Sequence, residues 1–149
     1  MKKLLFIALL MATTISAQTK IGLSTGVLEQ SNKYGLGIAN TVSVHQEVID
    51  NFGITALYNY SVLRGPNFQE FSLRAYKRVE LGRLSLEPNV GAAKQISGPE
   101  YVTFGLDLLV AASDKVEVIL GWQPTARGSF HDPDTGWSLT TTIGILYKL

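Results

Sequence analysis

Along most of this chain, apolar and polar side chains alternate with a period of two, run after run, and no other feature constrains the fold as strongly. A segment with that period has one apolar face and one polar face when it is extended. Turn-forming residues divide the pattern into about eight strand-like runs. The first, KIGLSTGVL, sets Ile21, Leu23 and Val27 against Gly22, Ser24 and Gly26. The second puts Tyr34, Leu36, Ile38, Val42 and Val44 on its apolar face, and the third Ile54, Ala56, Tyr58, Tyr60 and Val62. The fourth sets Phe71, Leu73, Ala75 and Val79 against Ser72, Arg74, Tyr76, Arg78 and Glu80. The fifth, sixth and seventh carry Leu84, Leu86 and Val90; Val102, Phe104, Leu106, Leu108 and Val110; then Val116, Val118, Leu120 and Trp122. The last, GWSLTTTIGILYKL, places Trp137, Leu139, Thr141, Ile143, Ile145, Tyr147 and Leu149 on one face. No run has helical periodicity, so the fold class is all-β, and 149 residues suffice for one domain.

The links between runs come in two kinds. Those at 81–83 and 112–115 are tight, and the one at 46–51 is moderate. Those at 29–33, 64–67, 94–100 and 126–136 are longer and rich in turn residues. Short turns at one end and longer loops at the other are the layout of a transmembrane β-barrel.

The N-terminus supports export. Lys2 and Lys3 precede a short apolar run, then small and polar residues up to Ala17, which reads as a secretory signal peptide over 1–17 and a mature domain over 18–149. With no Cys, disulfide, thiol and lipoprotein chemistry are excluded. Hydrophobic residues make up 46%, yet no second long apolar run exists, so a helical membrane protein is excluded. A net charge of +1 without a basic patch excludes a nucleic-acid partner.

The apolar face carries almost no charge, with Lys77 the main exception near one rim. The polar face is dominated by Gly, Ser, Thr and Ala, which suit the crowded inside of a narrow barrel better than a solvated exterior. The apolar face is therefore expected to meet lipid. Aromatic residues are expected as girdles at the two interfaces: Tyr34, Tyr60, Phe71, Tyr101, Trp122 and Trp137 at the loop end, Phe52 and Tyr147 at the turn end.

On these features the mature chain resembles the small eight-stranded outer-membrane barrels of the OmpA, OmpX and OmpW type, with no peptidoglycan-binding domain. The resemblance implies an antiparallel up-and-down barrel in the outer membrane of a Gram-negative-type envelope. It implies lipid and the barrel-assembly machinery as partners, and a monomer. In that family the last strand ends in an assembly signal, which Gly144, Tyr147 and Leu149 resemble; the terminal leucine replaces the usual aromatic residue.

Candidate chemistry is sparse. Arg74, Arg78, Glu87, Asp107 and Glu117 fall on the polar face and are expected to form a charge network in the lumen, with Arg78 beside Glu87. The reading is a side-chain plug; a narrow ion pathway is the alternative. The link at 126–136 holds Ser129, His131, Asp132 and Asp134. Residues so close in a loop rarely form a catalytic triad, but His131, Asp132 and Asp134 are a candidate cation site. His45 has no evident partner. No enzyme motif, cofactor or resident metal is expected. The function expected is envelope structure or surface interaction, with a narrow pore, or a secreted soluble barrel binding an apolar ligand, as alternatives.

Overall fold

The computed structural model describes residues 19–30, 36–62, 67–96, 98, 100–126 and 137–149. The strands are β1 (Thr19–Gln30), β2 (Leu36–Ile49), β3 (Phe52–Val62), β4 (Asn67–Lys77), β5 (Val79–Leu81), β6 (Leu84–Gln95), β7 (Glu100–Ala111), β8 (Val116–Ala126) and β9 (Trp137–Lys148). All pairings are antiparallel. β9 pairs with β1, and β4 pairs with β6, so the sheet closes on itself. β4 and β5 are two pieces of one stave, which makes the nine strands an eight-stave barrel.

The fourth run was expected to be continuous, and it breaks at Arg78. The register does not slip, since Tyr76 faces Asn89 and Val79 faces Leu86. Between those pairs Pro88 falls opposite Lys77 and has no N–H to give to the ladder. On the other side of the stave the Arg78 N–H donates to the Asn51 carbonyl at 2.6 Å, which carries the β3–β4 register one pair past Phe52 and Lys77.

The stagger follows from the pairings. Stepping around the ring from Lys148 passes Lys20, His45, Thr55, Arg74, Gly91, Thr103 and Thr125, and returns to β9 at Ser138, ten residues from the start. Such a stagger requires the strands to tilt, by roughly 35–45°. A strand of twelve residues such as β1 then rises about 30 Å along the barrel axis.

The strands outrun the apolar runs. The link at 46–51 is not moderate: β2 continues to Ile49, and Asp50 and Asn51 form a two-residue turn, with Asn51 at φ 65°. The turn at 82–83 uses Gly82 at φ 73°, a conformation open to glycine at no steric cost. At the loop end, β1 extends through Gln30, β4 begins at Asn67, β6 runs to Gln95 and β7 begins at Glu100. Ladder hydrogen bonds join backbones whatever the side chains carry, so pairing continues past the last apolar residue.

Candidate functional site: a charged lumen inside an apolar wall

The polar faces of the strands meet inside the ring. At the turn end, the Arg78 guanidinium lies between two carboxylates. Its Nε donates to Glu87 Oε1 at 2.6 Å, and its Nη1 lies 3.3 Å from Glu117 Oε1. Lys20 on β1 reaches across the lumen to Glu117 Oε2 at 2.6 Å. Glu87 is the most enclosed member, 1% exposed. The four residues form one ion-paired cluster fed by four staves.

Above the cluster, Asn89 Nδ2 donates to Asp107 Oδ2 at 3.0 Å and lies 3.3 Å from the Glu87 carbonyl. Arg74 is buried within electrostatic reach of Asp107 and Glu70, without a direct ion pair to Asp107. Further towards the loop end, the Tyr101 hydroxyl donates to Glu70. Arg74, Arg78, Glu87, Asp107 and Glu117 therefore all line one lumen, but of these only Arg78 forms direct ion pairs with the others, to Glu87 and Glu117.

Several lumen residues escaped the reading of the sequence. Lys20 begins the first run and pairs across the barrel with a residue two staves away. His45, without an evident partner in the sequence, has two in the fold. It is buried, 4% exposed, with Ser43 Oγ 3.0 Å from Nε2 and Thr55 Oγ1 3.1 Å from Nδ1. Leu109, Ile119 and Leu146 pack together inside the ring. The adjacent leucines Leu108 and Leu109 carried that signal, since two neighbours on a strand cannot face the same side.

A cavity of about 20 Å³ is lined by Ser43, His45, Asp107, Gln123 and Thr142, among others, which is room for a single water. Asp107 Oδ1 has no protein partner. A methyl group on Gly121 would stand 2.9 Å from that oxygen and 2.7 Å from Thr142 Oγ1, so only glycine leaves them this space.

The outer surface has the opposite character. Leu23, Ile38, Phe71, Val102, Leu120 and Ile143 are all exposed on it. Trp122, Tyr147 and Phe52 also project outwards, and Tyr60 is half-buried in the same outward row of β3. Lys77 Nζ stands 4.9 Å from the centre of the Phe52 ring. Tyr101 does not belong to the girdle: it is 7% exposed and points into the lumen, because it shares the parity of Thr103 and Asp107. Tyr34, Ser129, His131, Asp132, Asp134 and the side chain of Trp137 lie outside the described residues, as does the segment 1–17. Among the described residues, no cluster of three His, Cys, Asp or Glu side chains could hold a metal.

The last strand closes the ring. Tyr147 faces Ile21 on one side and Val116 on the other, and the Leu149 N–H donates to the Thr19 carbonyl at 3.0 Å. Gly144 sits at a close approach of backbones in this seam, as does Gly26 across from Thr142. A Cβ on Gly144 would lie 2.2 Å from the Leu23 carbonyl oxygen and 2.4 Å from Ser24 Cβ.

No family model and no curated protein matches the chain. Among solved structures it is similar to Neisserial surface protein A, with a TM-score of 0.71 at 11% identity, over 88% of this chain and 97% of that one. The fold is that of the small outer-membrane barrels. The attachment invasion locus protein Ail of Yersinia pestis superposes with a TM-score of 0.57 at 12% identity, over 88% of this chain and 96% of Ail. A de novo designed transmembrane β-barrel matches at 0.63 and 15%, over 89% and 96%.

Proposed function

We propose that this chain is a monomeric outer-membrane barrel with a plugged lumen, serving envelope structure or surface interaction without catalysis. The observation that carries the reading is the inverted polarity. The closed ring turns its apolar residues outwards and encloses Arg78, Lys20, Glu87 and Glu117. A soluble ligand-binding barrel needs the reverse, an apolar interior and a solvated wall. A closed ring leaves no backbone edge unpaired, as hydrocarbon demands. Residues 1–17 are the export signal on this reading, and Gly144, Tyr147 and Leu149 the label read by the assembly machinery. The ion-paired turn end and the cavity of about 20 Å³ favour the plug over a pore.

Fractionation tests the reading directly. The protein should sediment with outer membranes, need detergent for release, and migrate faster on a detergent gel before boiling than after. Recovery in the soluble periplasmic fraction would overturn it.

A further inference from the structure

The lipid-facing side of the barrel carries a feature that the alternation passes over. The outward row of β1 runs Leu23, Thr25, Val27, and that of β2 runs Val42, Asn40, Ile38, so one polar residue interrupts each. Thr25 and Asn40 face each other in the register, and Thr25 Oγ1 donates to Asn40 Oδ1 at 3.0 Å. That bond uses only one of the hydrogen-bonding positions of the amide. Among the described residues no acceptor meets Asn40 Nδ2. Tyr60, opposite Asn40 on β3, lines the same depression.

The surroundings narrow the choice of occupant. Leu23, Val42, Tyr60 and Ile143 bound a depression of about 480 Å³ around the pair, and no charged residue lines it. Asn40 is the fifth of fourteen residues in β2 counted from the loop end, in the outer third of the wall. Hydrocarbon supplies no acceptor for an amide hydrogen, and a donor left without one is unfavourable there. An occupant must therefore bring an uncharged acceptor and an apolar chain together, near the level where hydrocarbon gives way to headgroups. The absence of lining charge argues against a phosphate.

We infer that this depression docks one acyl-ester lipid, with its ester carbonyl accepting a hydrogen bond from Asn40 Nδ2 and its chain lying along Leu23, Val42 and Ile143. The inference rests on the membrane reading above. A second copy of the chain is the competing occupant. It would have to satisfy the same amide through a self-complementary contact.

The test uses the full barrel in nanodiscs of phosphatidylethanolamine, mixed as equal amounts of the diester lipid and its diether analogue, which lacks the carbonyls. After mild detergent release, native mass spectrometry reads which lipid stays bound. One diester lipid should be retained about fivefold over the diether, the worth of roughly one net hydrogen bond. Asn40→Leu should remove that preference while keeping heat-dependent mobility. If Asn40→Leu does not fold, the diester and diether comparison on the unaltered protein decides alone. Equal retention of the two lipids overturns the inference, and so does a retained second chain in place of lipid. A protein that never inserts overturns the membrane reading and this inference with it; an inserted barrel without ester preference overturns this inference only.

Discussion

Arg78 serves two carboxylates at once, and that makes it the most consequential single residue of the lumen. Substituting Arg78→Leu would leave Glu87, 1% exposed, as a charge without its cation. Breaking a buried pair from one side costs about 3–5 kcal/mol. The expected loss is of that size in urea unfolding from lipid vesicles, and a loss below about 1 kcal/mol, the range of solvated surface pairs, would mean that water enters this end freely. The pair of Arg78 and Glu87 was legible because they sit on neighbouring runs flanking a tight link. Lys20 was not: its partner Glu117 is 97 residues away and two staves distant. Tyr101 was misread for a local reason. It begins its run, where alternation has one neighbour to lean on instead of two.

At the scale of elements, the seam between β1 and β9 decides whether the ring closes. Gly144 has two candidate roles there, a letter in the assembly signal and a place where two backbones approach. Gly144→Ala separates them. Its methyl group would collide with the Leu23 carbonyl, and overpacking of this kind costs about 1–3 kcal/mol. Refolding into detergent micelles, with no assembly proteins present, should therefore give less of the fast-migrating form than the unaltered chain gives. Normal refolding in micelles combined with failed insertion in cells would assign Gly144 to recognition alone. The turn residues behave differently. Gly82 was readable as a turn from its neighbours, whereas the link at 46–51 looked longer than it is. The apolar pair Val48 and Ile49 continues β2 through a bulge before Asn51 turns the chain.

For the whole molecule, the stagger of the ring and the volume of its side chains set what can pass. The buried charged residues of the lumen, with Glu117, are four carboxylates, Glu70, Glu87, Asp107 and Glu117, against Lys20, Arg74 and Arg78. Arg74 is buried within electrostatic reach of Asp107, which lines the narrow cavity, so removing it both frees lumen volume and deepens the negative charge. In planar bilayers the unaltered barrel should be silent, and Arg74→Ala should show conductance steps that favour cations. Steps from the unaltered protein would instead support the pore.

The amino-acid sequence alone determined the fold class, the two-faced strands, the direction of the turns and the collection of charges on one face. These are local properties: a period of two, a glycine or asparagine at a turn, and a charge on a given parity are all decided within a few residues. Tertiary structure alone decided that Lys20 and Glu117 join the Arg78–Glu87 pair, that His45 lies between two hydroxyls, and that Asn40 and Thr25 share a spot on the outer wall. Each depends on the registers between neighbouring staves, which together make up the ten-residue stagger of the closed ring. That stagger is the sum of all the pairings around the barrel, and a shift of one residue in any of them would turn a strand's faces over.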